Sequence, residues 1–357
     1  MKRTLLHLAP LSSVLLLASP TALAGELDLS PTANVQYDLV RFDSDDARLH
    51  DDHAFRRARL GFKLKGDAWQ FVAEHDLADR TPPDAYVEWT PAKGHSLRVG
   101  QFKQPFLLED AISDKQSPFL EQAPIGAFGI SRRLGVEYAR QAGWGTVNAA
   151  VIGQRLDGTN EGLGVATRAT WKLRGRDGEV LHIGGGLASE SPEAGRAAFS
   201  THPGTTMTDV RLARTGALRR VDRLDRAAIE ALWIRGAWSV QGEHAQVAVA
   251  RDASADADGH AQSVLATWSP TGHARSYKRG VPGAPSGEGR AWELAARWSA
   301  IDLDSRAVAG GSMQQFAVAA TCYVNDHLRV GANLVRSERN GVTDEPLLAA
   351  MRVQLTY

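Results

Sequence analysis

The 357-residue chain has a single cysteine, Cys322, so it can form neither an intramolecular disulfide nor a cysteine-based metal cluster. Its 11 histidines are scattered, with no HExxH or other zinc spacing. There is no GxSxG, and no serine, histidine and aspartate group into a nucleophile and its base; His53, His75, His95 and His244 read as strand-end or loop residues. A barrel enzyme such as a lipase or protease is therefore left without a signature, and no cofactor is implied. Beyond the first 24 residues no run approaches the 18 apolar residues of a membrane-spanning helix, and 3.6-residue periodicity is scarce. Basic runs are not interleaved with aromatics, which leaves nucleic acid without a stacking platform. Net charge is also missing, with 41 Lys and Arg against 41 Asp and Glu, so any preference for an anion has to come from placement. Lysine itself is sparse, 8 residues against 33 arginines, a ratio that either genome composition or repeated oxyanion contact by the fixed guanidinium fork can produce.

What is present starts with an export signal. Lys2 and Arg3 precede an apolar run that includes Val14–Ala18, and Ala22-Leu23-Ala24 has the small-x-small form of a cleavage site. The expectation is a signal peptide over residues 1–24 and one domain over 25–357.

Within that domain period two dominates. In FRRARLGFKLK, Leu60, Phe62 and Leu64 share one face while Arg57, Arg59, Lys63 and Lys65 share the other. AWELAARWS sets Trp292, Leu294, Ala296 and Trp298 on one side, FAVAATCYV does the same with Phe316, Val318, Ala320 and Cys322, and AMRVQLTY with Met351, Val353, Leu355 and Tyr357. Gly66-Asp67, Asp157-Gly158, Asp177-Gly178 and Asn340-Gly341 are hairpin signals between such runs. Three longer irregular stretches remain, at 101–131, 188–226 and 270–289. An exported chain of amphipathic strands of about ten residues joined as meanders is all-β and fits a transmembrane antiparallel β-barrel. A soluble β-sandwich is the alternative. Tryptophans at outward strand ends (Trp69, Trp89, Trp171, Trp298), charged polar faces and an aromatic C-terminus favour the barrel.

RRARLGFKLKGD, DAYVEW, RVGQFKQPFLLE and SRRLGVEY, followed by SVQGEH, ATWSPTGHARSYKRG, GRAWELAARWSAIDL and CYVNDHLRVGANLV, resemble in order the phosphate-selective porins of the O and P type. The resemblance implies a barrel of about 16 strands in the outer membrane of a Gram-negative bacterium, assembled as a homotrimer and passing phosphate or polyphosphate. It also implies that residues 101–131 contain a constriction loop folded into the lumen, with Lys103 and Lys115 at the narrow point and Phe102, Phe106, Leu107 and Phe119 against the wall. Pro105 and Pro118 would keep that loop out of the sheet.

On that reading a graded series of cations replaces the water an anion sheds. Arg57, Arg59, Lys63 and Lys65 form one set, Arg132 and Arg133 lie beside the next strand, and Arg168 and Lys172 lie further on. The competing reading pairs each cation with a neighbouring Glu74, Glu88 or Glu137. Asp84 and Glu88 would temper anion binding. Arg211, Arg214, Arg219, Arg220, Arg223 and Arg226 would collect anions at the mouth or meet lipopolysaccharide phosphates, unless they are solvated loop charge interleaved with acids. A general or structural porin with no ion preference is the alternative function.

Overall fold

The computed structural model describes residues 27–159, 161–173 and 178–357. The expected signal peptide lies outside the described residues. Sixteen antiparallel strands close into one barrel. In chain order they are β1 (Asp28–Asp43), β2 (Asp52–Lys65), β3 (Trp69–Asp76), β4 (Ala85–Ala92), β5 (His95–Lys103), β6 (Arg132–Ala142), β7 (Gly145–Ile152), β8 (Leu163–Leu173), β9 (Glu179–Ser191), β10 (Val221–Arg235), β11 (Trp238–Arg251), β12 (Ala257–Trp268), β13 (Ala291–Ser305), β14 (Val308–Tyr323), β15 (Leu328–Arg339) and β16 (Leu347–Thr356). Each strand pairs with the next, and β1 closes on β16 from Asn34↔Thr356 to Asp43↔Leu347, so no sheet edge is left unpaired.

The outward face explains why this is a membrane barrel. Leu60, Phe62, Val99, Leu187, Ile229 and Met351 are among many large apolar side chains that are exposed on it, a surface that only lipid satisfies. Eight of the nine tryptophans lie at one end, that of both termini and most of the short turns, where Trp144 stands against Trp171 and Trp238 stacks on Trp268. They mark the periplasmic interface. Trp298 differs from the expectation: it sits mid-strand, six residues above Trp292, because the outward face of β13 continues apolar past the girdle.

The links after odd-numbered strands form the other end. The two longest are residues 104–131 (loop A), which follow β5, and residues 192–220 (loop B), which follow β9. The third long stretch is different. Residues 269–290 follow β12, an even-numbered strand, and therefore start from the periplasmic end, where barrel turns are normally short. They form a hairpin, Ala274–Lys278 paired with Val281–Ser286, that enters the lumen from below.

Around the inserted loop the barrel interior is packed with side chains. Inward positions of β7 to β12 carry Ala150, Ala166, Ala188, Ala228, Ala245 and Ala261, and the Phe106, Leu107, Ile125 and Phe128 side chains of loop A pack over them in one buried cluster. Small residues on the wall make room for large ones on the loop. Phe119 and Leu120 occupy a second cluster against Leu265, Val335 and Leu348. Each such side chain contributes about 1.5–3 kcal/mol when buried, so loop A is part of the folded core.

Candidate functional site

Loop A narrows the lumen, and arginines of the barrel and of the periplasmic hairpin hold it by its backbone carbonyls. Arg275 donates to Gln116 O at 2.7 Å, Arg329 to Lys115 O at 3.1 Å and Ser117 O at 2.8 Å, Arg352 to Leu120 O at 2.9 Å, and Arg297 to Glu121 O at 3.0 Å. Lys103 belongs with them: its ammonium donates to Asp110 O at 2.6 Å and Ile112 O at 3.1 Å. From the opposite wall Glu243 accepts Leu108 N–H and Glu109 N–H. A segment without regular structure carries unpaired carbonyls, and these fixed donors satisfy them inside the barrel.

The arginines of the expected series reach the lumen, each engaged with a carboxylate. Arg57 meets Asp114 of loop A, and Arg59 meets Asp76 at 2.8 Å and Asp114 at 3.5 Å. Arg132 grips Asp84 with two hydrogen bonds of 2.9 and 3.2 Å. Arg133 bridges Glu161 and Glu190 at 3.0 and 3.1 Å. Arg168 holds Glu230 at 2.9 and 2.6 Å and also donates to Gly280 O of the periplasmic hairpin at 2.8 Å. Glu88 is shared by Arg98 and by Arg279 of that hairpin. In the mouth cluster, Arg223 pairs with Asp225 and Arg226 with Glu190, Arg211 donates to Thr208 O and Val210 O, and Arg214, Arg219 and Arg220 are exposed.

Lysines behave otherwise. The ammonium groups of Lys63 and Lys65 on β2, Lys115 in loop A, Lys172 on β8 and Lys278 on the hairpin make no hydrogen bond or ion pair with the described residues. Lys63, Lys65 and Lys172 stand on inward strand positions toward the periplasmic end. Around loop A a cavity of about 190 Å³ is lined by six cations, Arg56, Arg57, Lys103, Arg132, Arg275 and Arg297, against four carboxylates, Glu109, Asp110, Asp114 and Glu121. Asp84 and Glu293, paired with Arg132 and Arg275, bring the carboxylates to six, so the charges around this cavity balance.

Strict alternation overlooks Arg56. It is an extra residue in β2, since Gln36 pairs with Arg57 and Tyr37 with Phe55. The bulge turns Arg56 and Arg57 to the same side, and Arg56 reaches Glu121 at 2.7 Å. A basic dipeptide inside a strand was the available signal. Arg297, Arg329 and Arg352 were also legible as inward positions of alternating strands, although not as loop clamps.

Burial alone would raise the Asp114 carboxyl, but the Arg57 and Arg59 guanidiniums beside it outweigh burial and hold it well below the usual carboxylate range. The same balance, with Arg56 foremost among the cations, lowers Glu121. Groups with depressed values in the folded state stabilise loop docking above the unfolded value of about 4 and lose that contribution only as pH falls through the folded value. The hold of Asp114 and Glu121 on their arginines is therefore expected to be constant from about pH 8 to about pH 5. A transition centred near pH 6 in a single-channel titration would show that these carboxylates do not control the loop.

The hairpin seats through Gly280, whose φ of +74° favours glycine and where a Cβ would lie 2.8–2.9 Å from the Thr170 and Thr146 hydroxyl oxygens. Tyr277 Oη and His182 Nδ1 are 2.9 Å apart. Gly280→Val should unseat the hairpin and raise single-channel conductance without changing the heat-modifiable gel mobility of the folded barrel. Unchanged conductance would mean that the hairpin lies outside the pathway.

The profile of the family described as phosphate-selective porin O and P matches residues 31–357. No curated protein matches by sequence. Among solved structures, a loop-deletion mutant of OmpT, an outer-membrane protein of Vibrio cholerae, aligns with a TM-score of 0.63 at 12% identity, covering 93% of this chain and 99% of that one. An anion-selective porin from Comamonas acidovorans aligns with a TM-score of 0.59 at 12% identity over 93% and 100% of the two chains. The outer-membrane channel DcaP of Acinetobacter baumannii gives 0.57 at 11% identity over 93% and 97%. At these identities the likeness is one of fold.

Proposed function

The chain belongs to the phosphate-selective porin O and P family, and from that premise we propose that this outer-membrane channel is selective for anions, with phosphate or a short polyphosphate as its ligand. The observation that carries the reading is the division of labour between the cations. Arginines of the lumen are neutralised by carboxylates or committed to loop A, while the ammonium groups of Lys63, Lys65, Lys115, Lys172 and Lys278 make no hydrogen bond or ion pair with the described residues, Lys115 meeting Glu74 only through space. A free ammonium on a flexible stem attracts an anion and releases it, which conduction requires.

Lys115 lies in the constriction loop, and the remaining four line the way toward the periplasm, so the attraction is graded. The zero net charge of the chain is no obstacle, because what an ion meets is the local placement of cations. A trimer accords with the trimeric form in which a structurally similar OmpT has been solved. The test is the reversal potential of purified protein in a planar bilayer under a potassium chloride gradient, followed by addition of phosphate. Anion selectivity with phosphate block at concentrations far below chloride supports the reading. Selectivity near unity leaves a general porin.

A further inference from the structure

Around the narrow region Asp76, Asp84, Asp114 and Glu121 each hold an arginine. Glu74 does not. It alternates inward on β3 with Gln70 and Asp76, and its carboxylate makes no hydrogen bond or ion pair with the described residues. The adjacent strand leaves it room: Gly61 of β2 lies directly opposite, and a Cβ there would fall 2.8 Å from Glu74 Cγ, so the bare glycine lets the side chain lie across β2.

Along β2, Arg59 lies above Gly61 and Lys63 below it, each a diagonal neighbour of Glu74 within reach of a long side chain. Arg59 is engaged by Asp76 and Asp114, whereas the Lys63 ammonium has no partner among the described residues. Lys115 of loop A meets Glu74 only through space. The groups left free on this stretch are therefore one carboxylate and two ammoniums, on the wall and on the loop that narrows the passage.

A fully deprotonated anion is drawn by the ammoniums and repelled by the carboxylate. An oxyanion that keeps a proton meets a different site. Its O–H donates to the carboxylate, which when ionised can only accept, while its remaining oxygens accept from the ammoniums. Phosphate and arsenate keep such a proton near neutral pH; sulfate, of similar shape, has none. We propose that Glu74 selects protonated oxyanions, hydrogenphosphate foremost, over sulfate, by accepting the P–O–H hydrogen bond while Lys63 and Lys115 attract the charged oxygens. A site built to accept from a ligand's hydroxyl discriminates against the analogue that lacks it, because the carboxylate is then left facing a bare oxygen.

The inference rests on the anion-channel reading and names the residue that refines it. Chloride current through single channels would be titrated with phosphate, arsenate and sulfate at about pH 8, where hydrogenphosphate and sulfate carry the same double charge. The general field of the pore then cancels in the ratio of their blocking concentrations. Wild-type channels are expected to be blocked by phosphate and by arsenate at concentrations about tenfold below sulfate. Glu74→Gln keeps the shape and adds an amide donor that serves either ion, so the two blocks should converge, chiefly because sulfate block strengthens. Glu74→Ala, which introduces no new donor, should also erase the preference. A ratio unchanged in both variants would overturn the proposal, since Glu74 would then only offset positive charge and its loss would strengthen both blocks together. Equal block by phosphate and sulfate in an anion-selective wild type would also overturn it and leave the anion channel standing. A wild-type reversal potential without anion selectivity would remove that reading, and this inference with it.

Discussion

Lys115→Glu is expected to lower the ratio of anion to cation permeability about tenfold, which a shift of the reversal potential toward the cation value would measure. The magnitude follows from electrostatics: two unit charges about 4 Å apart interact by about 1 kcal/mol in bulk water and about 4 kcal/mol near a protein surface, and a difference of 1.4 kcal/mol is a factor of ten. Lys115 is the residue to change because its ammonium makes no hydrogen bond or ion pair with the described residues, so the substitution alters the field at the constriction without breaking a contact. Lys103 provides the contrast. Its ammonium holds Asp110 O and Ile112 O. Lys103→Met should therefore loosen loop A and make open-channel current noisier, with a smaller effect on selectivity. If Lys115→Glu leaves the reversal potential in place and Lys103→Met shifts it, the assignment of the two lysines is reversed.

The second large effect is on size. Arg329→Ala removes the donor for the carbonyls of Lys115 and Ser117 and strands no carboxylate, because its guanidinium is spent on loop backbone rather than on an ion pair. Single-channel conductance should rise about twofold as loop A swings from the wall, and protease should then cut within residues 113–121. Arg352 contacts the same loop but would be a poorer probe. Its partner Asp38, held at 2.6 Å, would be left as an uncompensated buried charge, at a cost of about 3–5 kcal/mol. Unaltered conductance and an intact loop in Arg329→Ala would show that apolar packing alone seats loop A.

Much of this architecture was legible because period two survives wherever one face meets lipid. Leu60, Phe62, Trp292, Val318 and Met351 are outward in the structure as alternation places them, and the three long irregular stretches are the three segments that enter the lumen or cross its mouth. What alternation does not encode is the partner. Arg57, Arg132 and Arg168 are inward as read, but Asp114, Asp84 and Glu230 come from a loop or a non-adjacent strand, and no local pattern joins residues 48 to 62 positions apart. Nor does composition reveal that lysine, much the rarer cation, is the one left free. The bulge at Arg56 and the side from which residues 269–290 enter were hidden for a related reason: each depends on strand count and register, which accumulate along the whole sheet.

The contact between Arg275 and Gln116 O joins a hairpin that starts in the periplasm to a loop that starts at the cell surface. One segment has to be carried across the bilayer during insertion while the other never crosses, so they can meet only inside a lumen that already exists. Arg275 also meets Glu293, and Arg329 and Arg352, on the last two strands to be synthesised, hold the same stretch of loop A. The narrow passage is thus completed by the C-terminal quarter of the chain. A nascent barrel stalled before β15 would lack the donors to the Lys115, Ser117 and Leu120 carbonyls, which makes the full fastening of loop A a late product of biogenesis and gives the assembly machinery a sheet to close before there is a pore to leak.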